Sequence, residues 1–203
     1  TFIRLPMGSA MLDDYPDSRK FIDNTASKIP GANQDFYFTQ SFLKSYSRKS
    51  EATYRGYRNE VERLLLWSWT VAQKSVISLK RPDLELYFDF VHSPPAYWVA
   101  MSVADRFKRI GGVALQNENW RPFVVKIAKQ DRKSALDKGI AIPNSTHGHS
   151  LSHEAMKICY SALSCFYDYL TDEGYAFGNP IPAIRKQSPL SLIHISEPTR
   201  RRG

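Results

Sequence analysis

The sequence has few of the features that mark secreted, disulfide-stabilised or membrane-spanning proteins. Only two of its 203 residues are cysteines, Cys159 and Cys165. If the segment that carries them is helical, their spacing places them about 120° apart around the axis, where they are poorly placed to bridge. No apolar run approaches the ~18 residues that a membrane span needs, and no charged-then-apolar signal sequence opens the chain. We therefore expect a reduced, cytoplasmic protein.

Several motifs of catalytic and ligand-binding chemistry are also missing. The chain has no glycine-rich phosphate loop, no Ser-His-Asp order in a recognisable context and no paired-carboxylate motif. Four potential zinc ligands fall close together: His147, His149, His153 and Cys159. Their H-x-H-x₃-H…C spacing is not a familiar structural-zinc pattern. The sequence predicts no metal, no cofactor and no small-molecule substrate.

Positive charge is the clearest compositional signal. The formal net charge is +8 and the sequence pI is about 9.5, with three of the cations in the terminal Arg200, Arg201 and Arg202. Hydrophobic residues make up 42% of the chain, which is enough to build a core. A basic globular domain indicates nucleic acid as the first candidate partner, and an anionic membrane surface as the second.

The two ends of the chain differ from its body. Residues 1–33 mix prolines, glycines and scattered charge without a sustained period, so we expect weak structure there. Residues 34–47 have Phe42, Leu43 and Tyr46 at helical spacing and predict a short helix. The segment 188–203 resembles translated sequencing-adapter read-through and is expected to be non-native. The folded domain is therefore assigned to residues 34–187.

Two long amphipathic helices are predicted with good caps. The first covers 51–72, where Ser50 is a suitable N-cap and Leu66 and Trp67 fall off the apolar stripe. The second covers 153–173, with Ser152 as its cap and a glycine at its end. Its apolar stripe consists of Met156, Cys159, Tyr160, Leu163, Phe166, Tyr167 and Leu170.

The middle of the chain is less clear. Residues 82–92 alternate like a strand, but Pro82-Asp83 opens and Pro94-Pro95 ends a segment that we predict to be a helix. A further helix is predicted over 96–109, ended by Gly111-Gly112. Beyond it, residues 120–144 have no clean period, and 144–150 predict a loop.

These elements carry a family resemblance. The stretch Ser41-Phe-Leu-Lys-Ser-Tyr-Ser…Ser50-Glu-Ala-Thr-Tyr-Arg-Gly-Tyr…Leu64-Leu-Leu-Trp resembles the opening of the core-binding domain of phage-integrase-type tyrosine recombinases. The stretch Leu163…Phe166-Tyr-Asp-Tyr-Leu…Gly174-Tyr…Gly178-Asn-Pro looks like the closing helix of that domain and its exit. Between them, Phe90-Val-His-Ser-Pro-Pro…Trp98 and Trp120-Arg-Pro-Phe are similar to a subgroup with an enlarged middle loop.

The resemblance implies an all-α fold: a SAM-like helical bundle of four to five helices that grips one face of double-stranded DNA. In this family, a second domain grips the other face and carries the nucleophilic tyrosine, an arginine pair, a lysine and a His-x-x-Arg motif. No histidine here has an arginine three residues later. We therefore expect a bacterial or phage-encoded recombinase cut off before its catalytic domain. It would bind other recombinase subunits in the intact protein, and this chain would not cleave DNA.

Candidate DNA contacts lie on the polar sides of the two long helices and just before the first. They are Lys44, Arg48, Lys49, Thr53, Arg55, Arg58, His153, Lys157 and Ser161. Cations of this kind release counterions from the duplex, and a first-turn hydroxyl can contact phosphate. The alternative for each is an ordinary solvated helix face. A second basic run has the same two interpretations: Arg121, Lys126, Lys129, Arg132 and Lys133.

A different class of function stays open. The chain could be a helical protein-interaction domain without a nucleic-acid role, whose positive charge serves solubility or an acidic partner. The distribution of charge separates the two hypotheses. Clustering on one face favours DNA, and an even scatter favours protein interaction.

Overall fold

The computed structural model describes residues 5–6, 12–47, 50–124, 137 and 151–185, which are mostly helical with only small strands. The α-helices in this part of the chain are α1 Pro16–Ala26, α2 Ala32–Tyr46, α3 Glu51–Trp67, α4 Arg81–His92, α5 His153–Asp172 and α6 Ile181–Arg185. The strands are β1 Val99–Ala100, β2 Phe107–Ile110, β3 Val113–Gln116 and β4 Phe123–Val124. The predicted helical class is confirmed, whereas the strands were not predicted.

Both predicted long helices are confirmed, and so are their caps. The Ser50 side chain accepts a hydrogen bond from the Thr53 amide, and Ser152 accepts one from Ala155. Each cap satisfies a first-turn donor that has no partner within the helix. α3 continues after Trp67 as a π-helical turn, Ser68–Ala72, so the helical path reaches the predicted residue 72 in a different geometry.

The core forms where α3 packs against α2 and α5. Phe42 of α2 is fully buried, with ring centroids 5.2 Å from Phe166 and 6.1 Å from Tyr57. Leu66 and Trp67 are also buried, so the second half of α3 is covered on more than one side, as their position off the stripe predicted. The apolar stripe of α5 is buried along its whole length.

A buried carboxylate ties four segments to this core. Asp35 of α2 is fully buried and accepts four hydrogen bonds. One oxygen accepts from the Trp69 indole at 3.0 Å and the Val76 amide at 3.1 Å. The other accepts from the Ser75 hydroxyl at 2.7 Å and the Tyr175 phenol at 2.9 Å. Burial raises the pKa of Asp35, and the four hydrogen bonds oppose that rise.

The expectation of weak structure over residues 1–33 is wrong for the part that forms α1. Pro16 occupies the first turn of this helix, where the missing amide proton costs nothing. Ile22 and Thr25 are buried, and Leu5, further toward the N-terminus, is fully buried. The prolines that suggested an irregular segment mark instead where a helix begins and where the turn after it lies.

The middle segment is partly helical and partly extended. The predicted helix over 82–92 is confirmed as α4, which Asp83 caps by accepting from the Lys80 amide. The helix suggested over 96–109 is wrong. A single 3₁₀ turn, Ala96–Trp98, leads into β1, and residues 107–116 form an antiparallel hairpin. Both glycines of its two-residue turn have positive φ, 58° at Gly111 and 84° at Gly112, as a type I′ turn requires.

Asp35→Asn is expected to lower the free energy of unfolding by about 3 kcal/mol, because an amide nitrogen would replace an oxygen that faces two donors. Urea denaturation measures the change. Asp23→Asn is the matched control on an exposed site and should stay within ~0.5 kcal/mol of the parent. Equal stability of the two variants would show that the Asp35 network does not hold these segments together.

Candidate nucleic-acid interface

Two of the predicted contacts, Lys44 and Thr53, lie near the junction between α2 and α3. Lys44 is exposed in the last turn of α2. Thr53 is half-buried in the first turn of α3, where its hydroxyl lies 2.8 Å from that of Ser50. The predicted contacts Arg48 and Lys49 lie outside the described residues.

Arg58 occupies an unusual position on α3. It is half-buried, with its guanidinium carbon 5.7 Å from the centroid of the Tyr54 ring. Its Nε is buried and has no hydrogen-bond partner among the described residues. The carboxylate of Glu62, whose charge acts on Arg58, is 2% exposed and binds Arg106 at 2.7 and 2.8 Å. Arg58 is therefore a positioned cation without an acceptor in the described structure.

Burial and like charges dominate the electrostatics around Arg58. Burial lowers the pKa of Arg58 and repulsion from the guanidinium of Arg106 lowers it further, while the charge of Glu62 opposes both effects. An arginine still keeps its charge at neutral pH. Arg58 forms no ion pair with its described neighbours, so an anion that approached from solvent would supply its countercharge.

Arg55 completes what we call the arginine cluster: Arg55, Arg58 and Arg106. Arg55 is exposed and lies about 60° from Arg58 around α3. It forms an ion pair with Glu51, four residues earlier on the same helix. Exposed pairs of this kind contribute little to stability, so a phosphate can replace Glu51 at small cost.

The predicted contacts on α5 occupy its less buried side. Lys157 pairs with Glu154 at 3.0 Å, and His153 is the half-buried first residue of the helix. Ser161 is exposed and hydrogen-bonded to the Tyr57 phenol of α3. Burial, followed by the contact with Cys165, raises the pKa of Tyr57 to about 12, so this phenol remains neutral.

The structure divides the predicted contacts between separate surfaces. Because Tyr57 meets Cys165 while Glu60 meets Cys159, α3 and α5 run antiparallel. Lys157 is therefore displaced by roughly 12 Å along the helix pair from the level of Arg55. Around α3, Thr53 and Arg55 lie about 160° apart. Among the predicted contacts that the structure describes, Arg55 and Arg58 share one patch, with Arg106.

Arg106 is the member of the arginine cluster that the sequence analysis missed. It precedes β2, and its guanidinium also donates to the Leu5 carbonyl. The sequence predicts a helix over residues 96–109, and a helix would not bring Arg106 next to α3. The available signal was the β-type run Phe107–Ile110 followed directly by two glycines, which is typical of a hairpin.

Charge is not spread evenly along the chain. The described residues include 16 lysines and arginines and 18 aspartates and glutamates, against 28 and 20 in the whole sequence. The described part is therefore slightly acidic, and all of the net positive charge belongs to residues outside the described ranges. In the second basic run, Arg121 donates to the Glu118 and Trp120 carbonyls, and the other four cations lie outside the described ranges.

Metal-ligating side chains do not cluster in the described ranges. Within them, no three His, Cys, Asp or Glu side chains group in a way that could hold a metal ion, and the predicted candidates His147 and His149 lie outside these ranges. Among the helices described, none combines the length and apolar composition of a membrane span.

Comparison with known proteins yields no relative. No protein-family model matches the chain, and neither a curated protein nor a solved structure matches it.

Replacing Arg58 should affect stability far less than replacing Arg106. Arg58→Met is expected to leave the free energy of unfolding unchanged or raise it by up to ~1 kcal/mol, because it removes a half-buried cation without an acceptor. Arg106→Met leaves the buried Glu62 unpaired and should cost about 3–5 kcal/mol. Urea denaturation of both variants makes the comparison. An equal loss would mean that Arg58 has a structural role.

Proposed function

We propose that this chain is the DNA-binding portion of a site-specific tyrosine recombinase, folded as a SAM-like core-binding domain. It would clamp one face of a recombination half-site during DNA integration or recombination. The observation that carries the proposal is Arg58, a half-buried cation that lies against the Tyr54 ring and beside Arg106, with no acceptor among its described neighbours. DNA phosphate is an acceptor of matching charge and geometry for a guanidinium.

The arrangement of the motifs also supports the proposal. The residues that resemble the opening of a core-binding domain form α2 and the capped α3, and those that resemble its close form α5. The Gly-Asn-Pro exit folds back on α5, where the Asn179 amide donates to the Ser164 carbonyl at 3.0 Å and to Asp168 at 2.7 Å. Opening and closing motifs thus belong to one packed unit.

In this proposal the chain supplies binding and no bond-breaking chemistry. Lys44, Arg55 and Arg58 neutralise phosphates, and the released counterions make the affinity depend on salt. The polar residues of α5, His153, Lys157 and Ser161, would contact base edges or phosphates further along the duplex. Strand transfer through a phosphotyrosine would belong to the intact parent.

One observation favours the second candidate, a helical protein-interaction domain. Acidic residues slightly outnumber basic ones in the described ranges, so this part of the chain is not a generally basic surface. A carboxylate of an acidic partner would also be an acceptor for Arg58, but only a phosphate backbone presents regularly spaced acceptors to Arg55 and Arg58 together. We therefore place the DNA-binding function first.

Fluorescence anisotropy of the full chain with a generic ~30-base-pair duplex across a salt series tests the proposal. If about six phosphates are contacted, log K should fall with log salt at a slope near −5. Arg55→Ala/Arg58→Ala should make that slope less steep by about 2, because two phosphate contacts are lost.

The matched control is Lys28→Ala/Lys80→Ala, which removes the same charge from exposed positions outside the arginine cluster. It should retain the slope of the parent chain. Absence of binding at low salt, where electrostatic attraction is greatest, would overturn the DNA-binding function and favour protein interaction. Equal effects of the two double variants would remove the arginine cluster from the interface.

A further inference from the structure

The β2–β3 hairpin has one covered face and one open face. Residues paired across the hairpin project to the same side, and side chains alternate along each strand, so Phe107, Arg109, Ala114 and Gln116 belong to one face. That face packs against the α1 region: Ala114 is 1% exposed, and the ring centroids of Phe107 and Tyr15 are 4.8 Å apart. The hairpin is therefore held on one side by the helical body.

The open face combines apolar side chains with positive charge. It carries Lys108, Ile110, Val113 and Leu115. Ile110 is 64% and Val113 37% exposed, although both are aliphatic and lie beside the turn. A solvent-facing strand pair ordinarily has polar residues at such positions.

Charge on the hairpin has one sign. From Arg106 to Gln116 the sequence contains three cations and no acid. Lys108 and Arg109 are exposed, and neither forms an ion pair with the described residues. In a described body with slightly more acids than bases, this element stands out as a positive projection.

The hairpin also begins at the arginine cluster. Arg106 lies beside Arg58 and immediately precedes β2. Four residue pairs extend the hairpin by about 13 Å from that point. A duplex bound at Arg55 and Arg58 would thus have the hairpin within reach.

We propose that the β2–β3 hairpin is a second DNA-contacting element, which lays its open face in the major groove. This inference rests on the DNA-binding function proposed above. A two-stranded ribbon fits the major groove, which is about 12 Å wide. Ile110 and Val113 contact apolar groups such as thymine methyls, and Lys108 contacts a base edge or phosphate. Arg109, which is exposed on the opposite face of the hairpin, contacts the phosphate backbone that borders the groove. Charge complementarity favours duplex DNA over a protein as the occupant.

The salt series with the full chain and the ~30-base-pair duplex also tests the hairpin. Lys108→Ala/Arg109→Ala should make the slope of log K against log salt less steep by up to about 2, and Lys28→Ala/Lys80→Ala should not change it. Ile110→Ser/Val113→Ser should weaken binding about tenfold while the slope is retained, because it changes no charge. Circular dichroism checks that each variant is folded.

Three outcomes would contradict the hairpin proposal, and they can be told apart. If the parent chain binds DNA but Lys108→Ala/Arg109→Ala behaves as the Lys28/Lys80 control, the hairpin is not a contact and the DNA-binding function stands. If the parent chain does not bind DNA at low salt, both proposals fail. If Ile110→Ser/Val113→Ser abolishes self-association of the chain without weakening DNA binding, the open face serves a second copy instead of DNA.

Discussion

The fold depends on one buried carboxylate more than on any other polar group described. Asp35 joins α2 to the π-helical turn after α3, to the segment before α4, and to the chain that leaves α5. Apolar packing alone is tolerant of sliding, since many similar contacts replace one another. Four directed hydrogen bonds to one side chain can form together in only one arrangement of the segments that donate them. Losing such bonds at a buried carboxylate costs several kcal/mol. Asp35 therefore fixes the positions from which α3 and α5 project their polar sides.

Local sequence signals were sufficient to predict a helix where capping, apolar periodicity and the absence of proline agreed. α3 and α5 have a capping serine, a continuous apolar stripe and no internal proline, so their ends and buried faces were predictable. The segment 96–109 has no such agreement. Its proline pair leads into a 3₁₀ turn that places the Trp98 ring 4.9 Å from the Phe90 ring. A tertiary contact of this kind leaves no periodic pattern in the sequence. The same holds for α1, whose buried residues depend on packing against α2 and β3.

Residues of the candidate interface were predictable by type and not by position. Charge and sequence proximity grouped Thr53 with Arg55, yet the helical rotation between them turns the two side chains to different surfaces. Conversely, Arg58 and Arg106 are 48 positions apart and become neighbours only because the middle segment returns to α3. The sequence could not show that Arg58 lacks an acceptor. It places Glu62 one helical turn away, and only the structure shows that the Glu62 carboxylate binds Arg106.

The two cysteine thiols differ in burial, so their reactivity toward a thiol reagent reports on different parts of the structure. Cys159 is fully buried and its burial raises the pKa of the thiol well above the ordinary value, so a thiol reagent meets neither an accessible atom nor a thiolate. Cys165 is partly exposed and contacts Tyr57 at the seam between α3 and α5. Under native conditions, modification of Cys165 therefore records events at the surface of that seam. Modification of Cys159 requires the core to open, and its rate measures the free energy of the opening that exposes this residue.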